Sequence, residues 1–383
     1  LFVPGPTNVP DRIQNALHIP MEDHRSSAFP ALWRALAPEL RRLFGTVEGR
    51  PFVFTGTGTG GWEAALTNVL SPGDRVLAPR FGQFSHLWIE LARQLGFAVE
   101  VLDCEWGVGA PTERIRTALE ADRGHAIKAL LIVHNETATG VTSDIAAVHG
   151  AQLAARHPSL LLVDSVSGIG SLDFRMDEWG VDLAVTGSQK GLMLPAGLAV
   201  LGASPRALEA GKGAASRRSY FDLAAQAAAN DQGYFPYTPS APMLHALRES
   251  LRMLLDEEGM PAVIARHHRL AEGVRRAVAA WGLALCAREP RWHSDTVSTV
   301  LTPEGIDARA VIARAFDRYD LSLGGGLGPL AGKAFRIGHL GDLNEPMLLG
   351  ALAGVEMALR DCGVELTPGS GVAAAEEHWR LAR

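Results

Sequence analysis

The stretch 160–191, LLLVDSVSGIGSLDFRMDEWGVDLAVTGSQKG, decides how the rest of this chain is read. Its apolar run 160–163 predicts a buried strand that delivers Asp164 at its carboxyl end. The run 183–185 predicts a second strand, which delivers TGSQK, 186–190, in the same way. Two neighbouring strand ends then present one carboxylate, Asp164, and one amine, Lys190.

That pair suits pyridoxal 5'-phosphate, which needs an amine for its Schiff base and an anion beside its pyridine nitrogen. Lys190 would take the aldehyde carbon. Asp164 would keep the ring nitrogen protonated, so that the ring can accept the electron pair left when a bound amino acid loses its α proton. An ordinary ion pair between a strand end and a loop lysine fits the same two residues.

The turn TGTGTGG, 55–61, follows one predicted strand (51–54) and opens a helix (62–70), so its backbone N–H groups and the helix dipole can receive a phosphate. Gly56, Gly58 and Gly61 also satisfy GxGxxG, the mark of a dinucleotide fold and hence of an NAD-dependent dehydrogenase. That fold expects an acid at the end of the next strand, and 75–79 offers none. Arg336 is a lone arginine entering an apolar strand. A buried guanidinium needs a planar partner, either a substrate carboxylate or a structural salt bridge between domains.

Several phrases resemble the class V aminotransferases of fold type I, closest to the serine–glyoxylate aminotransferases. They are HNETATGV (134–141), MDEWGVD (176–182), TGSQKG (186–191), PYTP (236–239) and FRIGHLG (335–341). The resemblance spans essentially the whole chain and implies an α/β fold type I transferase, with a mainly parallel sheet wrapped by helices and a smaller α+β carboxyl-terminal domain. It implies that Lys190 and Asp164 are catalytic, that Thr57, Gly58 and Thr59 form the phosphate-binding turn, and that Gln189 is a further phosphate contact. Phe84, in RFGQFSH, matches the aromatic residue stacked on the pyridine face, although a core phenylalanine would read the same. Thr137 matches the contact on the 3-hydroxyl side, Val166 the apolar residue beneath the ring, and Arg336 the grip on the substrate α-carboxylate. Thr238, in YFPYTP, matches a phosphate contact made across a homodimer with shared active sites. Some members carry tyrosine where this chain has Phe235, and whether Tyr237 replaces that contact stays open.

The activity implied is transfer of the amino group of L-serine to glyoxylate, giving hydroxypyruvate and glycine, with L-aspartate or L-alanine as the alternative donor. Arg25, in EDHRSSAFP, could pair with the β-carboxylate of aspartate, or instead with its neighbours Glu22 or Asp23. A cysteine desulfurase shares the fold but needs a cysteine shortly before the arginine, and 321–334 holds none. A non-catalytic α/β binding protein would leave Lys190 and Asp164 without a task.

Strands and helices alternate from 51 to 163, the signature of a parallel sheet with helical crossovers. The chain divides into an arm at 1–20, a large domain at 21–258 and a small domain at 259–383, where Gly259-Met260-Pro261 breaks a helical stretch running from 242. With 383 residues, 47% of them hydrophobic, there is enough chain for two cores. A net charge of −6 without basic blocks argues against nucleic acid. Three scattered cysteines suggest neither a zinc site nor disulfides. His134 with Glu136 is too small a set for a metal, and a hydrogen-bonded structural histidine fits better. His267-His268, on an arginine-rich helix, reads as a solvated face. The opening LFVPGPTNVP lacks a leader pattern, the ending LAR is not of the S-K-L type, and no apolar run approaches 18 residues. A cytoplasmic protein without membrane contact is expected.

Overall fold

Strands β7 (Leu160–Asp164) and β8 (Leu183–Gly187) are buried at every position. Both faces of each strand meet a core, so the sequence shows continuous apolar runs where a half-exposed strand would alternate. Leu161, Val163 and Ala184 point into one hydrophobic cluster. Leu160, Leu162, Leu183 and Val185 point into the other, on the opposite face. Each such leucine or valine contributes roughly 1.5–3 kcal/mol on burial. A computed structural model describes residues 1–381.

The main sheet also contains β1 (Arg50–Thr55), β2 (Arg75–Arg80), β3 (Ala98–Asp103), β4 (Ile127–Val133) and β9 (Leu198–Ala203), in the order β1-β9-β8-β7-β4-β2-β3. A two-stranded hairpin, β5 (Asn135–Glu136) with β6 (Val141–Thr142), follows β4. Only β9 is reversed, pairing antiparallel with both β1 and β8, and the other strands share one direction. The link from β8 to β9 is too short for a helical crossover, so the chain turns straight back. The carboxyl ends of β1, β2, β4, β7 and β8 therefore line one edge of the sheet, where open α/β folds bind ligands.

The second sheet is antiparallel and comprises β10 (Ala284–Leu285), β11 (Val297–Leu301), β12 (Gly324–Gly325) and β13 (Ala334–Gly338), in the order β10-β11-β13-β12. Its core, built around Val274, Phe335 and Leu352, is formed with helices Met260–Ala280, Ala308–Tyr319, Glu345–Asp361 and Ser370–Leu381. The expected continuous helix from 242 is α-helical only over Ala241–Leu251 and continues as a π-helical stretch, Arg252–Glu258, before Gly259 at φ +81.

Two expectations are corrected. The segment 1–20 is not all arm, because Asp11–Leu17 is a helix whose Ile13 is fully buried in the hydrophobic cluster on one face of the main sheet. Nor is His267 solvated. It is completely buried, its Nδ1 lies 2.7 Å from the Val263 carbonyl and its Nε2 accepts the Gly341 N–H at 3.1 Å. Burial lowers its pKa to about 4, so it is a neutral structural link between a helix and the loop after β13. Its neighbour His268 is exposed and bonds Asp295. Among the described residues, no helix is long and apolar enough to cross a membrane.

Candidate active site

Asp164 closes β7 and Lys190 follows β8, and both side chains line one cavity of about 260 Å³. The cavity is walled by Thr57, Gly58 and Thr59 at the start of helix Gly58–Val69 after β1, Phe84 in the first turn of helix Gln83–Gln94 after β2, Thr137 from the hairpin after β4, and Val166 and Gln189. Ten residues expected in the site, counting Lys190, Asp164 and Arg336, thus meet at one sheet edge, Arg336 standing just behind the Thr137 wall.

The Asp164 carboxylate is buried and accepts the Val166 N–H at 2.8 Å. Burial raises its pKa to about 7, with a further push from Glu136, while Lys190 pulls it down. The indole N–H of Trp62 is buried without a partner at hydrogen-bond geometry, yet close enough to favour the Asp164 charge. Lys190 responds in the opposite sense. Burial, with help from the charge on Arg336, lowers its amine to about 8, against the pull of Asp164. Its Nζ donates to the Pro4 carbonyl at 2.6 Å.

Helix Gly58–Val69 aims its amino terminus at the cavity, and its first N–H groups have no partners inside the helix. Glycine is required where this helix crowds the sheet. A Cβ at Gly58 would lie 2.6 Å from Val166, and one at Gly61 would lie 2.5 Å from Val185. Gln189 Oε1 is buried without a partner, a polar atom aimed at this end of the site.

Arg336, on β13, is buried and donates to the carbonyls of Gly325 (2.8 Å) and Thr137 (3.3 Å). No carboxylate lies within 4.0 Å of it among the described residues, so the inter-domain salt bridge is not what holds it. Burial lowers its pKa to about 10, and Glu136 partly offsets that. A buried guanidinium satisfied only by carbonyls keeps its planar fork ready for an anion.

Thr238 and Arg25 do not join the cavity of their own chain. Thr238 is exposed and lines a separate groove with Tyr220, Phe235 and Tyr237. Tyr237 stacks on Tyr220 at 5.3 Å, and its hydroxyl faces Ser219 at 3.3 Å. Arg25 is exposed, and its guanidinium pairs with neither expected neighbour. Glu22 bonds His245, and Asp23 accepts the backbone N–H of Arg25. His134 is buried with Nδ1 2.9 Å from Ser165 Oγ, and burial lowers its pKa to about 4, as suits a structural residue.

The sequence reading missed Trp62, Asn135 and Ser167, which also line the cavity. Asn135 donates to Ser167 Oγ and Thr296 Oγ1, both at 2.8 Å, and accepts from Ser294 at 2.7 Å, so it ties the cavity to the edge of the second sheet. The phrase HNETATGV contains that asparagine, but only the fold reveals the distant hydroxyls it reaches. The Pro4 carbonyl was missed as well, since a backbone acceptor has no signature in sequence.

The chain is similar in sequence and fold to known proteins. The family model for class V aminotransferases matches residues 14–326. The serine–glyoxylate aminotransferase of Methylorubrum extorquens is 57% identical over 385 residues, covering 99% of this chain and 96% of that one. The L-aspartate–glyoxylate aminotransferase of Paracoccus denitrificans is 50% identical, covering 99% and 96%. The crystal structure of ureidoglycine–glyoxylate aminotransferase from Bacillus subtilis has a TM-score of 0.91 at 29% identity, covering 99% and 97%. A family model matched over most of the chain, near-full-length relatives and a fold with Asp164 and Lys190 at adjacent strand ends agree: this chain belongs to the class V aminotransferases.

Proposed function

We propose that this chain moves the amino group of L-serine to glyoxylate through pyridoxal phosphate held on Lys190. The observation that carries the reading is the single cavity into which Asp164, Lys190 and the amino terminus of helix Gly58–Val69 all open. Aldehyde, ring nitrogen and phosphate of one cofactor require those three groups together. When bound, pyridoxal phosphate supplies an electron sink for the pair left on the substrate Cα.

The protein residues do the rest. Asp164 is a buried carboxylate whose charge is costly alone, so a protonated ring nitrogen beside it is favoured. Lys190, at about 8, can be neutral near physiological pH and can take a proton from Cα and return it elsewhere. Phe84 and Val166 fit the two faces of a flat ring, Thr137 its 3-hydroxyl side, and Thr57, Gly58, Thr59 and Gln189 the phosphate. Arg336 would grip the α-carboxylate. Thr238, and with it Arg25, would enter the site of a second chain, which makes the working unit a homodimer. We take 259 as the start of the small domain and place the protein in the cytoplasm.

Serine as donor is supported by the identity to the Methylorubrum extorquens enzyme. Aspartate is the second reading, favoured by the Paracoccus denitrificans relative and by an Arg25 guanidinium free of its neighbouring acids. Measurement of kcat/KM for serine, alanine and aspartate with glyoxylate decides, because that ratio is the specificity. Serine is expected to lead. Aspartate ahead by more than about tenfold, with selective loss of aspartate activity in Arg25→Ala, would overturn the choice.

A further inference from the structure

Glu136 is fully buried, which raises its pKa, and the backbone N–H groups of Ser85, Phe84 and Ala138 offset that by favouring its charged form. Its Oε2 accepts from Phe84 at 3.0 Å and Ser85 at 2.9 Å, and its Oε1 accepts from Phe84 and Ala138, each at 3.2 Å. Phe84 and Ser85 lie in the first turn of helix Gln83–Gln94, where N–H groups lack helical partners and the dipole favours an anion. Gly82 makes room for this approach, because a Cβ there would lie 2.2 Å from Glu136 Cγ. The next residue, Thr137, faces the cavity and offers its carbonyl to Arg336. One carboxylate thus pins two walls of the cavity from behind.

We propose that Glu136 is a positioning residue, whose buried carboxylate fixes the backbone of Phe84 and Thr137 so that both hold their places around pyridoxal phosphate. This rests on the reading of the site given above. Glu136 also acts on both charged partners of the site, since it favours the protonated forms of Asp164 and Arg336. A non-polar residue of the same size would leave three N–H groups without an acceptor. Glutamine would keep the shape but turn an NH₂ towards N–H donors.

The test uses the full chain with Glu136→Gln and, approached from the other side, Gly82→Ala, which displaces the carboxylate without removing it. Amide exchange in the cofactor-free protein is expected to quicken by about tenfold or more at Phe84 and Ser85, the size of one lost hydrogen bond to a charged group. Titration with pyridoxal phosphate should show a dissociation constant raised by a similar factor and a weakened visible dichroism of the bound cofactor, while the thermal midpoint stays near that of the parent. Unchanged exchange at both amides, with affinity within about twofold of the parent, would overturn the proposal. Loss of the native fold in both variants would overturn it too, by assigning the carboxylate to the stability of the whole domain. If the parent chain itself binds no pyridoxal phosphate, the functional reading fails, and the exchange at Phe84 and Ser85 still decides whether Glu136 anchors that wall.

Discussion

The amine of Lys190 donates to the carbonyl of Pro4 at 2.6 Å, so the amino-terminal arm ends on the residue at the centre of the site. The arm is tied on both sides. Thr7 bonds the backbone of Gln189 and Lys190, while Phe2 forms a bridge with Leu323 and accepts the N–H of Gly338. It therefore links the lysine loop to β13, which carries Arg336.

Gly5 is where this link is most exposed to change. Its φ is +109, and a Cβ would fall 2.4 Å from Lys190 Nζ. Gly5→Ala should cost about 1–3 kcal/mol of backbone strain and displace the lysine. A lower thermal midpoint and slower uptake of pyridoxal phosphate are expected. Parental values for both would show that the arm does not constrain Lys190.

Asp164 gives a prediction with a definite sign. Its folded pKa of about 7 lies above the ordinary carboxylate value. Below about pH 4 both folded and unfolded chains hold it neutral, and burial costs little. Between about 4 and 7 only the unfolded chain ionises, so this group lowers stability as pH rises. Cofactor-free Asp164→Asn should therefore be more stable than the parent at pH 8, by roughly 1–4 kcal/mol, with no advantage near pH 4. Its turnover with pyridoxal phosphate should fall by about 100-fold or more. Denaturant melts at the two pH values check the first claim, and an equal gap at both would refute it.

The segments that carry Arg25 and Thr238 pack against each other. The Tyr234 hydroxyl donates to the Ser26 carbonyl at 3.2 Å, and Phe235 packs edge-on against Phe29 and Trp33. If these segments complete the site of a second chain, two defects on different chains should complement. Lys190→Ala mixed and refolded with Arg25→Ala/Thr238→Val should recover roughly a quarter of parental activity, since half the dimers are hybrids with one intact site each. Mixtures no more active than their components would place both residues outside the site.

Legibility followed the physics of each signal. β7 and β8 showed themselves because strands buried on both faces are continuously apolar, and Asp164 and Lys190 because polar groups at the ends of such runs are conspicuous. The reversal of β9 was harder to read, since an apolar strand carries no mark of direction. Its short link to β8 was the only clue. The role of Glu136 was hidden because its partners are backbone N–H groups near position 84, far off in sequence. His267 was misread because its helix is rich in arginine, while the face that carries it packs inward on the Gly341 loop. The helix Asp11–Leu17 was missed because the prolines around it outweighed the apolar pattern of a short segment.

The central claim is that Lys190 is the residue that binds the cofactor covalently. Purified protein, incubated with pyridoxal phosphate from pH 6 to 10, reduced with borohydride and digested, should yield one modified peptide, the one containing Lys190. The rate of labelling should rise with a midpoint near pH 8, as expected for an amine whose pKa burial has lowered to about 8. The Lys190→Ala variant should show no such peptide, no visible absorption band and no transamination. A modified peptide elsewhere in the parent, or an unchanged band in Lys190→Ala, would contradict the account.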